Sequence, residues 1–268
     1  MQVTGNVFVV TGGGNGIGRE VVLGLLDRGA RVAAVDLSAD GLAETASIAR
    51  AADRLSTHTV DITDRGAVDA LPEAVHAAHG RVDGLLNVAG IIQPFVRFAE
   101  LEQRQMEKVM AVNCWGVVHT TQAFLPHLTT RREAAVVNVS SMGALAPVPG
   151  QSVYGASKAA VMLLTEALYA ELRDTTVSVT VVFPGGVATH IAENSGASIP
   201  GRSADAADSA GSLTTAPDAA RQIIEKGVEK GHSRVVIGKD AIMLDRLSRL
   251  SPRRATELIA KKMESLLS

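Results

Sequence analysis

The stretch VFVVTGGGNGIGREVVLGLL, residues 7–26, constrains the fold more than any other part of the chain. A short apolar run passes through a glycine-rich turn into a segment with helical spacing of apolar residues. Glycines let the chain bend tightly, and they let backbone N–H groups at the positive end of a helix approach a phosphate. The spacing is TGxxxGxG, formed by Thr11, Gly12, Gly16 and Gly18. Its position between a first strand and a first helix favours a bound dinucleotide.

Further along the chain, valine-rich runs alternate with helical patterns. The predicted strands are residues 7–11, 31–36, 58–60, 82–88, 135–140, 177–183 and 234–237. The predicted helices are residues 17–27, 39–51, 64–78, 103–128, 152–172 and 217–230, and Pro72 is expected to kink or restart the third. Continuously apolar strands indicate burial on both faces. The chain therefore predicts an α/β fold: one doubly wound, Rossmann-like domain over residues 1–268, with a mostly seven-stranded parallel sheet and helices on both faces.

Two segments depart from this alternation. Residues 190–216 are small, polar and weakly periodic, which indicates either a lid over a substrate or a loose insertion. Residues 241–268 predict a C-terminal helical extension with Ile259, Met263 and Leu266 on one face. That face could dock on the body, on a neighbouring subunit or on a membrane, and we expect the body because the basic face is weak.

Composition excludes several functions. The 268 residues carry a formal net charge of -2 without a basic block, so no nucleic-acid partner is expected. No apolar run approaches the length of a membrane span, and residues 1–11 lack the features of a signal peptide, so we predict a cytoplasmic protein. Cys114 is the only cysteine, and we interpret it as a buried packing residue rather than a nucleophile. His76 and His79 lack companion ligands, so no metal site is predicted.

The residue that ends the second predicted strand bears on cofactor choice. Asp36 lies 18 residues after Gly18, where a carboxylate can accept hydrogen bonds from the ribose hydroxyls of a dinucleotide and repel a 2′-phosphate. Leu37 and Asn15 supply no cation for such a phosphate, and Arg19 could simply face solvent. NAD is therefore favoured over NADP. The alternative is that Asp36 only caps its loop.

The sequence YGASK, residues 154–158, spaces a phenol and an amine by one helical turn. A tyrosine can act as acid and base if its pKa falls from about 10 to about 7.5, which requires about 3 kcal/mol. A lysine cation about 5 Å away supplies about 3 kcal/mol at an effective dielectric of about 20. Tyr154 and Lys158 therefore suit proton transfer, although the same spacing also describes a half-exposed surface pair.

Seven short motifs occur in one order along the chain. They are TGGGNGIG (11–18), VDIT (60–63), NVAG (87–90), VNCWG (112–116), NVSS (138–141), YGASK (154–158) and PGGVAT (184–189). On these motifs, from residue 7 to about residue 237, the chain resembles the short-chain dehydrogenases/reductases of the standard type. The resemblance implies hydride transfer between a nicotinamide dinucleotide and an alcohol or carbonyl group, in a homotetramer or homodimer paired through the helices that carry Asn113 and Tyr154.

The resemblance also implies roles for individual residues. The catalytic residues would be Asn113, Ser141, Tyr154 and Lys158, with Ser141 preferred over Ser140 because it lies thirteen residues before Tyr154. The cofactor-binding residues would be Gly12, Asn15, Gly16, Ile17, Gly18, Asp36, Leu37, Asp61, Ile62, Asn87, Ala89, Gly90, Tyr154, Lys158, Pro184, Gly185, Val187 and Thr189. Val88 stands where the family has a second asparagine.

The substrate is expected beside the nicotinamide. The candidate substrate-binding residues are Gln93, Phe95, Ser141, Leu145, Gln151, His190 and Ile191. Their mostly apolar character predicts a hydrophobic ketone or secondary alcohol, with Gln93 and Gln151 as the polar groups that discriminate among substrates. Two alternatives are an NADPH-dependent biosynthetic carbonyl reductase and a non-catalytic, dinucleotide-sensing protein. The second would usually lack the tyrosine or the lysine, and this chain has both.

Overall fold

The structure is a computed structural model that describes residues 1–51, 53–189, 191–197 and 213–263. Its strands are β1 (Val7–Thr11), β2 (Arg31–Asp36), β3 (Leu55–Thr59), β4 (Gly84–Asn87), β5 (Ala134–Val139), β6 (Val177–Pro184), β7 (Val187–Ala188), β8 (Thr214–Thr215) and β9 (Arg234–Ile237). Seven of them form one parallel sheet in the order β3-β2-β1-β4-β5-β6-β9, and β7 pairs with β8 separately. The predicted seven-stranded parallel sheet is confirmed.

Helices cover both faces of the sheet. They are α1 (Gly16–Asp27), α2 (Ala39–Ala49), α3 (Arg65–His79), α4 (Gln103–Met110), α5 (Gly116–Leu128), α6 (Ser152–Leu172), α7 (Ile191–Asn194), α8 (Ala216–Gln222), α9 (Lys239–Leu250) and α10 (Pro252–Lys262). One buried apolar cluster joins α1, α2 and α8 to the sheet, and another joins α3, α5 and α6 to its opposite face. The valine-rich strands are thus buried on both sides, as their continuous apolar character predicts.

Strand β3 differs from its prediction. It covers Leu55–Thr59, whereas the sequence pattern predicts residues 58–60. This strand lies at the edge of the sheet, and among the described residues only β2 pairs with it. Its sequence, LSTHT, carries little apolar signal because its side chains are partly exposed. Backbone pairing with β2, rather than side-chain pattern, therefore defines the strand.

The predicted helix over residues 103–128 contains a wide turn. Helices α4 and α5 are joined by a π-helical segment at Ala111–Trp115, in which the Gly116 N–H bonds to the carbonyl of Ala111, five residues earlier. A second π-helical segment, Ile223–Glu229, continues α8. Single π turns within α-helices frequently occur at functional sites. Pro72, in contrast, neither splits nor restarts α3, which runs from Arg65 to His79.

The C-terminal extension packs against the loop that follows β5. Leu244 of α9 and Ala255 and Ile259 of α10 form a buried cluster with Ala146, and Met263 packs on the same cluster. Leu266 lies outside the described residues, as does most of the predicted lid at residues 190–216. Within the described residues, no helix is long and apolar enough to cross a membrane. Cytoplasmic localisation stays a prediction.

Candidate active site

A cleft of about 510 Å³ opens at the carboxyl ends of the strands. It lies where the strand order reverses, because β1 is followed by β2 on one side and has β4 on the other. This position is the usual ligand site of an open α/β sheet. The described lining comprises Gly12, Asn15, Gly16, Ile17, Gly18, Val35, Asp36, Leu37, Ser38, Val60, Asp61, Ile62, Val88, Ala89, Gly90, Ile91, Ile92, Lys108, Val112, Val139, Ser140, Ser141, Tyr154, Lys158, Pro184, Gly185, Val187, Thr189, Ile191 and Asn194.

Most of the predicted cofactor-binding residues line this cleft. Asn87 is the exception: it is buried, and its side chain is engaged by Thr120, Thr121 and Asn138. It therefore ties β4 to α5 and β5 beneath the cleft. Val88 lines the cleft with an apolar side chain where the resembled family has an amide.

The glycine-rich turn is shaped by close contacts. Gly12 has a φ of +73°, and a Cβ there would lie 2.9 Å from the backbone of Ala89. A Cβ on Gly18 would lie 1.9 Å from the Gly12 carbonyl oxygen. Gly16 faces the open cleft, since a Cβ there would lie 3.6 Å from Thr189 Cγ2. These glycines bring the turn onto the end of β4 and keep space for a phosphate-bearing ligand at the start of α1.

Asp36 and Arg19 organise the same end of the cleft. One carboxylate oxygen of Asp36 accepts the Gly14 N–H at 2.9 Å, and the other accepts the Ser38 N–H at 2.9 Å. Arg19 Nε donates to the Gly14 carbonyl and to Thr45 Oγ1, each at 3.1 Å, and its guanidinium pairs with Glu44. The Arg19 cation lowers the pKa of the Glu44 carboxyl. Arg19 thus stabilises the glycine-rich turn through these hydrogen bonds and does not simply face solvent.

At the other end of the cleft, Asn113 and Lys158 are buried side by side. Asn113 Oδ1 accepts the Ile91 N–H at 2.8 Å, and Nδ2 donates to the Ile91 carbonyl at 2.9 Å and to Ser157 Oγ at 3.0 Å. Lys158 Nζ donates to the Val139 carbonyl at 3.0 Å. A Cβ on Gly90 would lie 3.0 Å from Lys158 Nζ and 3.3 Å from Asn113 Oδ1, so any larger residue there would have to displace these two polar groups by a few tenths of an ångström.

The two serines that follow β5 point in different directions. Ser140 Oγ donates to the Lys158 carbonyl at 2.7 Å and so holds α6 against the sheet. Ser141 Oγ accepts the Gly143 N–H at 3.1 Å and lies beside the side chain of Tyr154, since both would be 3.5 Å from a Cβ on Gly143. Ser141, not Ser140, is therefore the serine that meets the tyrosine.

Burial dominates the acid–base properties of this end. Burial raises the pKa of Tyr154, and the polar side chain of Ser141 beside it opposes that rise. Burial also lowers the pKa of Lys158 to about 8. The sequence argument, which gave Lys158 alone the capacity to lower the tyrosine pKa, is therefore incomplete, because it left out the desolvation of both groups.

The predicted substrate residues divide into two groups. Ile191 and Ser141 line the cleft, together with Ile92 and with Asn194, which sequence reasoning missed. Phe95, Leu145, Gln93 and Gln151 lie outside its described lining, and both glutamines are buried. His190 lies outside the described residues. The two glutamines bond to protein backbone, as described below. Among missed residues, Asn194 lies in the stretch predicted as a lid, where no sequence pattern indicates which side chain turns inward.

Cys114 remains a poor nucleophile in this setting. It lies in the π-helical segment and is half-buried, and burial raises the pKa of its thiol. A raised pKa keeps the thiol protonated near neutral pH.

Known proteins share this sequence and geometry. Residues 6–199 match the sequence model of the short chain dehydrogenases. A Mycobacterium tuberculosis (strain H37Rv) protein named oxidoreductase SadH is 37% identical over 270 residues, covering 96% of this chain and 94% of the relative. The 2-(R)-hydroxypropyl-CoM dehydrogenase of Xanthobacter autotrophicus is 35% identical over 189 residues, covering 68% of this chain and 75% of the relative.

Solved structures agree. A short-chain dehydrogenase/reductase from Burkholderia phymatum in complex with NAD superposes with a TM-score of 0.84 at 28% identity, covering 96% of this chain and 97% of that chain. A short chain dehydrogenase from Burkholderia cenocepacia in complex with NADP gives 0.80 at 25% identity, covering 97% and 99%. The fold and cleft thus define a nicotinamide-dependent oxidoreductase. The chain belongs to the short-chain dehydrogenase/reductase family.

Proposed function

We propose that this protein is an NAD-dependent enzyme that transfers a hydride between nicotinamide and a hydrophobic secondary alcohol or ketone. The observation that carries the proposal is the contact between the Tyr154 side chain and Ser141 in the cleft, one helical turn before buried Lys158. A bound nicotinamide dinucleotide would supply or accept the hydride, which leaves binding, orientation and proton transfer to the protein.

The residues at this end can divide the proton chemistry among them. In reduction, the Tyr154 hydroxyl would donate its proton to the carbonyl oxygen, and in oxidation the phenolate would remove the alcohol proton. The Ser141 hydroxyl would donate a hydrogen bond to the same substrate oxygen and stabilise developing charge. Lys158, with a pKa of about 8, is mostly protonated at pH 7 and favours the phenolate. Asn113 would hold a water that links Lys158 to solvent.

The preference for NAD is supported by the charges around the glycine-rich turn. Asp36 would accept hydrogen bonds from ribose hydroxyls, and its negative charge would repel a 2′-phosphate. Arg19, which directly follows the glycine-rich turn, is already paired with Glu44 and the Gly14 carbonyl. An NADPH-dependent reductase is the alternative, and an NADP complex occurs among similar structures. A dinucleotide sensor without catalysis has no feature of the site in its favour.

The substrate class is supported by the apolar side chains near Tyr154. Ile91, Ile92 and Ile191 line the cleft, and Asn194 is a polar residue of the same described lining. One relative is named for a hydroxypropyl group, which is a small secondary alcohol. We therefore expect a secondary alcohol or ketone carried on an apolar group, with Asn194 rather than the buried glutamines as the polar contact.

The test is a panel of secondary alcohols and ketones offered with NAD(H) and with NADP(H), followed by cofactor absorbance. We expect turnover of apolar members with NAD(H) and tighter binding of NADH than of NADPH. Tighter NADPH binding would overturn the role of Asp36. Turnover confined to small charged hydroxy acids would overturn the substrate class.

We also propose that the protein assembles as a homo-oligomer through α5 and α6. Trp115, the last residue of the π-helical segment before α5, is 55% exposed, and Leu163 and Tyr169 of α6 are 66% and 48% exposed. Val117 and Val161 are buried in the subunit and do not contribute to this face. Exposed large apolar side chains on neighbouring helices are typical of a subunit interface. Sedimentation of a monomer at micromolar concentration would contradict this assembly.

A further inference from the structure

Gln93 lies in the loop after β4 and is fully buried. Its carboxamide bonds to the backbone at the start of α6, about 60 residues further along the chain. The oxygen Oε1 accepts the N–H groups of Val153 at 2.8 Å and Tyr154 at 3.0 Å. The nitrogen Nε2 donates to the carbonyl of Gly150 at 2.9 Å. All three partners belong to the first turn of α6 or the loop entering it.

Helix α6 has no cap of its own. The first N–H groups of a helix have no acceptor within it, and a side chain at the N-cap position commonly supplies one. Gln151 occupies that position but makes no capping hydrogen bond. Its Nε2 donates instead to the backbone carbonyl of Gln93 at 2.7 Å. Gln93 thus provides the missing cap from a distant segment, and Gln151 fastens the two segments together.

We propose that Gln93 is a positioning residue for Tyr154: its buried carboxamide caps the catalytic helix and fixes that helix to the loop after β4. The consequence for turnover rests on the proposed function, whereas the consequence for Tyr154 itself does not. Tyr154 lies in the capped turn and is one of the two residues whose N–H groups Gln93 accepts. The cap therefore holds the turn that carries the phenol, not a remote part of the helix.

The loop that carries Gln93 is itself anchored on other sides. The Ile91 backbone is held at both its N–H and its carbonyl by Asn113. The Ile92 N–H donates to Ser195 Oγ at 3.0 Å, just beyond α7. Residues 91–93 thus connect the π-helical turn, the segment after β7 and the catalytic helix. Through its hydrogen bond with the Tyr154 N–H, Gln93 links this anchored loop to Tyr154.

A neutral carboxamide is suited to this position. A carboxylate would also accept the two N–H groups, but it would place a negative charge close to Tyr154 and disfavour the phenolate. Burial already raises the pKa of Tyr154. A neutral cap stabilises the helix without raising that pKa further.

The test uses two substitutions in a Tyr169→Phe background, in which Tyr154 is the only tyrosine. Its ionisation is then followed by tyrosinate absorbance, without substrate or cofactor. Gln93→Met removes every hydrogen bond of the carboxamide, so the loosened first turn should hydrate Tyr154 and lower its midpoint towards about 10. Gln93→Glu should keep the two hydrogen bonds from the Val153 and Tyr154 N–H groups, lose the one to the Gly150 carbonyl, and raise the midpoint by about one pH unit through its charge.

The matched control is Asp64→Ala. Asp64 caps α3 by accepting two backbone N–H groups, those of Gly66 and Ala67, and lies outside the cleft lining. It should lower the melting temperature much as Gln93→Met does, with the Tyr154 midpoint unchanged. On an active alcohol, Gln93→Met should lower kcat at least 10-fold with the dissociation constant for NADH within about 2-fold, because the glycine-rich turn is untouched.

Coincident midpoints in the parent and Gln93→Glu proteins would overturn the proposal. So would a kcat for Gln93→Met equal to that of Asp64→Ala. If Gln93→Met fails to fold, the Gln93→Glu titration still decides the matter. A parent protein that turns over no alcohol or ketone would refute the proposed function alone, since the tyrosinate titration needs neither substrate nor NAD(H).

Discussion

The two ends of the cleft differ in how far apart their residues lie in the sequence. The glycine-turn end, formed by residues 12–18 and Asp36, comes from one continuous strand–turn–helix–strand unit. At the catalytic end, formed by Ser141, Tyr154 and Lys158, contacts arrive from distant segments. Gln93 reaches α6 across 60 residues, and Ser195 reaches Ile92 across 103. The first end is shaped by backbone and glycines, whereas the second depends on buried side chains. Single side-chain changes should therefore act on binding at one end and on chemistry at the other.

Replacing Tyr154 with phenylalanine should give the largest difference between the two ends. The change removes the proton-transferring hydroxyl and leaves the glycine-rich turn intact, so turnover should fall by at least about 10³-fold while NADH binding persists. Steady-state kinetics and a fluorescence titration with NADH measure both. Tyr169→Phe is the matched control, since this second tyrosine is 48% exposed and outside the described cleft lining, and it should leave turnover unchanged. Normal turnover by the Tyr154 variant would refute the mechanism.

Substitutions of the two serines after β5 should distinguish a catalytic role from a packing role at the catalytic end. Ser141→Ala should lower kcat by about 10²-fold, because the hydrogen bond to the substrate oxygen is lost. Ser140→Ala should leave kcat within a few-fold and lower the free energy of unfolding by about 1 kcal/mol, because it removes the bond to the Lys158 carbonyl. Kinetics with urea denaturation distinguish the two. The opposite pattern would exchange their roles.

Asp36→Ser should act at the glycine-turn end with a smaller effect. It removes the carboxylate expected to hold the ribose hydroxyls, so the dissociation constant for NADH should rise about 10- to 100-fold. The preference for NADH over NADPH should weaken because the repulsive charge is gone. Asp40→Ser, in the exposed first turn of α2, is the control and should change neither affinity. Equal affinities for the two cofactors in the unmodified protein would already contradict this prediction.

The smallest expected effect is that of Lys158→Met on the stability of the fold. Burial lowers the pKa of Lys158 to about 8, from 10.5 for a lysine in water, so between these pH values the folded protein binds fewer protons than the unfolded chain. The free energy of unfolding therefore rises with pH through this window as the charged form disappears. The gross penalty at pH 7 is about 3 kcal/mol, partly offset by about 1 kcal/mol from the bond to Val139.

The variant should thus melt at the same temperature as the unmodified protein or roughly 2–6 °C higher at pH 7, while losing turnover. The difference should shrink as the pH approaches 10. Differential scanning fluorimetry across pH 7–10 measures it, with Lys230→Met, at an exposed position, as the control. A large, pH-independent loss of stability would show that Lys158 contributes packing rather than strain.

How much could be predicted from the sequence also differs between the two ends. The turn and Asp36 are local patterns, and their spacing indicates both the fold and the binding site. The sequence predicts Gln93 and Gln151 as substrate contacts because they are polar residues in loops near the site. Sequence spacing does not show that the N–H groups at the start of α6 lack an acceptor, and the first turn of α6 satisfies them through Gln93. The sequence pattern also misplaces the bounds of strand β3, because hydrogen bonding of its backbone to β2, which the side-chain pattern does not show, defines the strand.

The wide turn at Ala111–Trp115 changes what one long helix can face. An α-helix turns by about 100° per residue, so one extra residue in a turn rotates everything beyond it relative to everything before it. Upstream of the turn, Lys108 lines the cleft; within the turn, Val112 lines it as well and Asn113 binds the backbone of Ile91. Downstream, Thr120 and Thr121 reach Asn87 beneath the sheet end. Helices α4 and α5 therefore follow one another almost without interruption but present their side chains to different parts of the protein. Removing one residue from the turn would rotate one of the two helices away from the residues that it contacts.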